Sequence, residues 1–328
     1  MKLEVTRKDL NEALTFAGLA TKNNAPSPIL QTLRLDADAA SLSIVGCDME
    51  MWAERKVVAN VAVAGAVCVP TETIRQVVAS LPDGTVSLEL VEQNVFLRMG
   101  GSEWRMMALP AEEFPPIPDV EASSELRLGA KDFRDAVESV AYAVSTDNSR
   151  QVLTGVLFTY DGATLTLVAT DTHRLAVNRL EREGIGSQIS AVVPEKALRA
   201  VRALPLADDE ELTVRFDQNR LAADAGTARV VSQLLDGVYP NWERVLPSEP
   251  TRVWTVDRSE LMDHVKRAMI LARDSANRVR FSGQDDKVRV DARSEEKGES
   301  HEFLAAVMKN GEIDIAFNGK YVEDALRA

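Results

Sequence analysis

The strongest constraint on the fold of this 328-residue chain is a set of patterns that recurs three times along it. One amphipathic helix pattern has three versions, RKDLNEAL, AKDFRDAV and RSELMDHV, which begin at residues 7, 130 and 258. A second helix pattern also has three versions, VPTETIRQVV, VPEKALRAVR and FNGKYVEDAL, which begin at residues 69, 193 and 317. Recurrence of separate motifs in one order predicts tandem copies of a single folding unit.

Between the helix patterns lie alternating apolar and polar segments that are typical of strands, such as VLFTYDGATLTLVA. We therefore predict an α+β fold of three repeats, each with two helices packed on antiparallel sheet. The expected domains are residues 1–120, 121–250 and 251–328. The expected helices are residues 7–17, 70–80, 130–143, 194–204, 258–274 and 318–328. By comparison with the other copies, we expect the third repeat to lack its last three strands.

The composition is that of a globular chain, with 45% hydrophobic and 27% charged residues. The start MKLEVTRKDL lacks a secretory signal, and no apolar run is long enough to span a membrane, so we expect a cytoplasmic protein. Cys47 and Cys68 lie in apolar runs and are expected to be buried thiols. The formal net charge of -13, taken alone, argues against a nucleic-acid partner.

The stretch LVATDTHRLAV, residues 167–177, carries an unusual polar cluster. Shifted by 123 residues, it lies over the first copy so that Asp171 superposes on Asp48, which predicts a structural role for Asp171 at the turn. His173 and Arg174 have no such counterparts, which favours a site. A binding pocket, a plain turn and a catalytic centre remain open, although no nucleophile or metal-binding motif accompanies them.

These residues carry a family resemblance. ATDTHRLA resembles the ATDGHRLA signature of bacterial DNA sliding clamps, the processivity subunits of replicative DNA polymerases. SPILQTLRL, VVPEKALRAVR, LLDGVYPNWERVLP and FNGKYVEDAL are similar to that family in the same order. The resemblance implies three DNA-clamp domains and a head-to-tail homodimer that closes a ring around duplex DNA. It implies no catalytic activity and no cofactor.

The resemblance also implies a cleft between the second and third domains that receives short peptides from polymerases, the clamp loader and repair proteins. Its residues would be Leu153, Thr170, Thr172, His173, Arg174, Leu175, Pro240, Arg244, Val245, Asn318 and Tyr321. Thr172 stands where the family usually has glycine, so its side chain would either narrow the entrance or require a turn without positive φ.

Two further surfaces follow from the resemblance. DNA contacts would come from Lys22, Arg150 and Lys196. The six predicted helices carry a slight excess of Lys and Arg, while the acidic surplus lies elsewhere, which suits a ring with DNA inside it. The dimer interface would include Ile74, Arg75, Arg105, Ile270, Leu271 and Glu299.

Two other functions remain open from the sequence. One is an enzyme that uses Asp171 and His173. The other is a shortened clamp paralogue that binds partner peptides without encircling DNA.

Overall fold

The computed structural model describes residues 1–247 and 249–328. The helices in this part of the chain are α1 Arg7–Ala17, α2 Thr71–Ser80, α3 Ala130–Ala141, α4 Glu195–Arg202, α5 Arg258–Ala272 and α6 Gly319–Arg327. All six predicted helices are confirmed, and their ends differ from the prediction by at most two residues. None of the described helices is both long and apolar enough to cross a membrane.

Most of the remaining chain forms strands. Those before residue 120 are β1 Lys2–Thr6, β2 Thr32–Asp38, β3 Ser41–Cys47, β4 Met51–Val58, β5 Asn60–Val63, β6 Gly65–Pro70, β7 Thr85–Val91, β8 Asn94–Met99 and β9 Ser102–Met107. The next are β10 Ser124–Gly129, β11 Gly155–Tyr160, β12 Thr164–Thr170, β13 Leu175–Glu181, β14 Ile189–Pro194, β15 Glu211–Phe216, β16 Arg220–Ala225 and β17 Ala228–Gln233. The last are β18 Val253–Thr255, β19 Arg278–Gln284, β20 Lys287–Ser294, β21 Gly298–Ala305, β22 Val307–Lys309 and β23 Ile313–Asn318.

The strands pair antiparallel in five sheets, whose orders are β5-β1-β7-β8-β9, β10-β15-β16-β17-β4-β3-β2-β6, β13-β12-β11-β14, β18-β22 and β21-β20-β19-β23. The eight-stranded sheet joins the first and second parts of the chain, because β17 pairs with β4 from Ala228↔Arg55 to Ser232↔Met51. Within the described residues, β9 pairs only with β8 and β21 only with β20, so each leaves one edge open.

Helix α1 shows how local sequence sets an element. Thr6 caps its first turn, since its hydroxyl accepts a hydrogen bond from the backbone N–H of Asp9 at 3.1 Å. Leu10, Leu14 and Ala17 recur at a spacing of three to four residues and are buried. The apolar face therefore packs on the sheet, and the polar face is left to solvent.

The hydrophobic cores follow the same division of the chain. The core of the second part also contains Phe16, Ala20, Met51 and Ala53 from the first, so these two parts share packing as well as a sheet. The core of the third part is built from residues between Trp254 and Val322.

Close contact between α1 and β3 provides a test of the packing in the first part of the chain, whose hydrophobic core is called the first core below. A Cβ atom on Gly46 would lie 2.0 Å from the carbonyl oxygen of Ala17, which is rigid helix backbone. We expect Gly46→Ala to lower the free energy of unfolding by about 3 kcal/mol or more, because the backbone must shift. Urea unfolding of the full chain measures the change. Gly101→Ala is the matched control: a Cβ there meets nothing within 4 Å, so equal losses in both variants would contradict the packing.

Candidate functional site

The polar cluster at the end of β12 is built on a carboxylate-anchored turn. Asp171 Oδ1 accepts hydrogen bonds from the backbone N–H groups of His173 and Arg174 at 2.9 and 3.0 Å. Asp48 Oδ1 accepts from the N–H groups two and three residues later at 3.1 and 2.9 Å. The structural role predicted for Asp171 is confirmed, because the same anchor recurs in both copies.

Thr172 occupies the tight position of this turn with a φ of 77°, and Met49 has a φ of 74° at the matching position. Of the two alternatives for Thr172, a turn without positive φ is therefore excluded, and a side chain that narrows the entrance remains. The anchored carboxylate and the Thr170 hydroxyl, which accepts from the Thr172 N–H at 3.1 Å, hold the backbone in the left-handed region. A β-branched residue is strained there.

Arg174 lies at the junction of the second and third parts of the chain. Its Nε donates to Asp171 Oδ2 at 3.0 Å, and its Nη1 donates to Asp324 Oδ2 on α6 at 2.7 Å. The guanidinium carbon is 5.5 Å from the ring centre of Tyr142 and 4.5 Å from that of Tyr321. Only 18% of the Arg174 side chain is exposed, so two carboxylates and two aromatic rings enclose this cation.

Burial raises the pKa of the Tyr142 hydroxyl and outweighs the opposing effect of Arg174, so the ring stays neutral at physiological pH. A neutral aromatic ring offers its π face to the guanidinium. The arrangement is therefore a cation held by two anions and two π systems, with one anion and one ring from the third part of the chain.

A cavity of about 470 Å³ opens beside Arg174. Six predicted cleft residues line it, Leu153, Thr172, His173, Arg174, Asn318 and Tyr321. Asn318 also caps α6, since its Oδ1 accepts from the backbone N–H of Lys320 at 3.0 Å. Backbone and side chains of residues 144–147 complete the wall on the second part of the chain.

The other predicted cleft residues lie apart from this cavity. Leu175 packs with Tyr239 and Trp242 against a small buried cluster on the sheet of β13. Pro240, Arg244 and Val245 lie in the segment after β17, and Val245 is 69% exposed. Thr170 serves the turn, because its hydroxyl donates to the carbonyl oxygen of Arg174 at 2.7 Å. The predicted set is thus only partly brought together: six of its residues line the cavity and the others lie outside it.

Four residues of this region were not predicted: Tyr142, Asp324, Tyr239 and Trp242. The spacing of Tyr321 and Asp324 indicates a shared face of α6. The sequence does not show that this face meets Arg174, which lies 150 residues earlier.

The predicted DNA-contact lysines lie in an ion-pair cluster beside the β4·β17 junction. The Nζ of Lys196 is 2.9 Å from Asp48 Oδ2 and also contacts Glu50. The Nζ of Lys22 is 3.6 Å from Asp48 Oδ2. Burial is the largest single influence and opposes ionisation of Asp48, but the hydrogen bond and charge of Lys196 and the backbone N–H bonds from Met51 and Glu50 together outweigh it and lower the pKa of this carboxyl. Arg150 is elsewhere, on the wall of the cavity beside Arg174.

The predicted interface residues differ in accessibility. Ile74 is 0% exposed and belongs to the first core, so its side chain is not presented at the surface, which corrects the expectation for this residue. Ile270 is 63% exposed on α5. Arg105 on β9 and Glu299 on β21 are exposed on the two open sheet edges. Arg75 and Leu271 are partly buried.

Comparison with known proteins matches all three parts of the chain to one family. Models of the DNA polymerase III beta subunit match residues 1–118 as its N-terminal domain, 127–241 as its central domain and 243–328 as its C-terminal domain. The chain belongs to the bacterial DNA polymerase III β-subunit family. Members of this family include the beta sliding clamp of Staphylococcus aureus, which is 30% identical over 312 residues, covering 92% of the chain and 83% of the relative.

Other clamp-family proteins are similar over the whole chain. The beta sliding clamp of Synechococcus elongatus is 29% identical, covering 100% of this chain and 90% of its own length. The β subunit structure from Thermotoga maritima has a TM-score of 0.91 at 26% identity, covering 99% of this chain and 89% of its own. The clamp of Pseudomonas aeruginosa bound to griselimycin has a TM-score of 0.90 at 26% identity, covering 100% and 89%. These matches establish the clamp-family fold of helices and antiparallel sheets.

Strain at Thr172 leads to a stability test. A non-glycine residue in the left-handed region is strained by roughly 1–2 kcal/mol. Glycine removes this strain, but its larger loss of backbone entropy on folding cancels about half of the gain in stability. We expect Thr172→Gly to raise the free energy of unfolding by about 0.5–1 kcal/mol, measured by urea unfolding. Thr166→Gly, in the middle of β12, is the control and should destabilise. A loss of stability in both variants would show that Thr172 is unstrained.

Proposed function

We propose that this chain is a non-catalytic DNA sliding clamp that closes a head-to-tail ring dimer around duplex DNA and tethers the replicative polymerase. Membership of the β-subunit family along the whole chain is the observation that supports this function. The proposed architecture is three tandem clamp repeats with domains at residues 1–120, 121–250 and 251–328.

The open sheet edges support ring closure. The β4·β17 pairing joins the first and second domains within the chain. By repeat position, β9 corresponds to β17 and β21 corresponds to β4, and both have an unpaired edge. An unpaired edge is a ready template for another strand. Because the two edges are different surfaces at opposite ends of the chain, each copy can satisfy both through a heterologous contact that closes with two copies.

The charge of the chain supports topological rather than tight binding. The formal net charge is -13, and Lys22 and Lys196 are already paired with carboxylates. Such a surface offers few free cations to phosphate. Retention by encirclement, with loose and screened contacts, resolves the conflict between an acidic protein and a DNA partner.

Retention on DNA should therefore depend on topology more than on salt. After assembly on a nicked circular plasmid with a clamp loader, we expect the protein to stay bound through gel filtration in moderate salt. Cutting the same plasmid once with a restriction enzyme should release it, because the ring slides off an end. Mock-digested plasmid is the control. Equal retention on circular and linear DNA, with a steep loss in salt, would overturn the encircling function.

The cavity beside Arg174 is proposed as part of the cleft for partner peptides. Apolar and cationic groups together suit short peptides with hydrophobic side chains and a carboxylate. Arg174 already has two carboxylate partners, so an incoming peptide either shares it or replaces Asp324. We propose that Arg174 mainly holds the second and third domains together and so shapes the cleft.

Binding to Arg174 variants tests the cleft. We expect Arg174→Ala to weaken binding of a peptide from the replicative polymerase, and of griselimycin, by about 1–3 kcal/mol because the charged hydrogen bond to Asp324, which shapes the cleft, is lost. Isothermal titration calorimetry measures both ligands. Arg182→Ala is the matched control, since Arg182 is exposed and pairs with Asp132 away from the cavity. Unchanged affinity in Arg174→Ala would show that the cavity beside Arg174 is not part of the peptide-binding cleft.

Asp324→Asn separates the two roles of Arg174. If Arg174 acts mainly as a tie between domains, removing the Asp324 charge weakens ligand binding together with the tie. If Arg174 acts mainly as a donor to the ligand, the same change frees it and affinity is kept or improved. The first result is expected, and the second would overturn the role as a tie.

A further inference from the structure

The outer faces of the two open edge strands carry complementary charges. On β9, Glu103 and Arg105 are exposed, and on β21, Glu299 and His301 are exposed. Trp104 and Met106, which alternate with the β9 charges, face the first core. The inference below rests on the proposed ring, in which β9 of one copy meets β21 of a second copy.

The β4·β17 ladder supplies a template for the register of that contact. Hairpin β16–β17 closes with Ala225↔Ala228 and hairpin β8–β9 closes with Met99↔Ser102, so Ala228 corresponds to Ser102. Both turns have two residues. Position 229 therefore matches position 103, and position 231 matches position 105.

The acceptor strand is placed in the same way. The repeated strand pattern lays Leu42 over Val288, and these residues pair with Val57 and Leu304 across their hairpins. Val57 thus corresponds to Leu304. Counting back along both strands, position 54 matches position 301, and position 52 matches position 299.

Within the chain, Arg229 lies opposite Glu54 and Val231 lies opposite Trp52. Transferred to the ring seam, Glu103 lies opposite His301 and Arg105 lies opposite Glu299. Directly opposed residues share one face of a sheet, and their Cβ atoms lie about 4.5–5.5 Å apart. Both predicted pairs fall on the outer face, and both join opposite charges when His301 is protonated.

His301 is set among charged groups on its own sheet. Its Nδ1 is 2.7 Å from Asp291 Oδ1 on β20, and its Nε2 is 3.5 Å from Glu299 Oε1. Arg289 on β20 is the nearby cation: its Nε donates to Asp291 at 2.7 Å, and its Nη2 is 2.9 Å from His301 Nδ1, where its charge opposes protonation and lowers the pKa of His301. Arg280 on β19 lies beyond Asp291 and pairs with Asp314.

The second copy adds Glu103 to this environment, and the Nε of Arg98 on β8 contacts that carboxylate at 2.5 Å. On the opposite face of β21, Glu302 pairs with Arg267 and lies 3.6 Å from the ring nitrogen of His264. The hydrogen bond to Asp291 already raises the pKa of His301 above its ordinary value.

We propose that the ring closes in this register and that protonated His301 lies against Glu103 of the second copy, which makes ring closure proton-linked. An added carboxylate favours imidazolium, so closure raises the pKa of His301 further and takes up protons. The stabilisation is fully present below the pKa of His301 in the free chain. It is lost as pH rises through the higher pKa in the ring, which places the change above the ordinary histidine pKa of about 6.5.

The first test measures dimer dissociation of the full chain by sedimentation velocity across a range of pH. We expect the dimer to be on the order of 3-fold to 10-fold tighter at pH 6 than at pH 8, since each ring has two exposed seam pairs. His301→Gln and Glu103→Gln should each flatten the pH dependence, and the double variant should flatten it no further. Arg105→Gln is the control and should weaken the dimer while keeping the pH slope.

The second test fixes the register without relying on pH. Glu103→Cys combined with His301→Cys should form a disulfide between copies under mild oxidation, because opposed strand residues meet disulfide geometry. Arg105→Cys combined with His301→Cys is out of register by two residues and should not cross-link.

The outcomes separate this inference from the proposed function. A dimer whose pH slope survives His301→Gln, or which cross-links only through positions 105 and 301, overturns the inference and leaves the ring intact. A chain that stays monomeric at every pH overturns both.

Discussion

The pairing of β17 with β4 is the contact on which the rest of the architecture depends. It merges strands from two parts of the chain into one eight-stranded sheet, and the second core takes in residues such as Met51 and Ala53 from the first. Backbone hydrogen bonds fix the register between the two parts. Within the described residues, β9 in the first part of the chain and β21 in the third each keep one unpaired edge. The β4·β17 pairing within the chain is thus a template for the proposed pairing of β9 with β21 between two chains.

The contact between the second and third parts is of another kind. Arg174 is held by Asp171 and Asp324 and by the rings of Tyr142 and Tyr321. Single ion pairs and cation–π contacts contribute little each when solvent can reach them. Enclosure of the guanidinium strengthens its ion pairs and cation–π contacts, because screening falls as water is excluded. The cavity beside this contact is lined by residues of both the second and the third parts of the chain.

The sequence predicted those features that depend on local pattern. Helix periodicity and the threefold motif order gave the six helices, and superposing Asp171 on Asp48 identified the turn anchor. Features that depend on tertiary contact were not accessible. From the sequence, Ile74 cannot be told from other apolar helix residues, and only the packing shows that it lies in the core. Asp324 meets Arg174 only because α6 is folded against the second part of the chain.

In the proposed clamp, the cluster of Lys22 and Lys196 would let an acidic chain hold DNA loosely. Lys196 bridges Asp48 and Glu50, and Lys22 lies beside them, so a phosphate must compete with carboxylates that are already in place. Lys196 and the backbone N–H groups of Glu50 and Met51 together outweigh burial and lower the pKa of Asp48, so that carboxylate stays charged and keeps competing at neutral pH. Free lysines would bind each phosphate more tightly and resist movement along the duplex. Partial neutralisation would lower that resistance, which suits the proposed retention by enclosure.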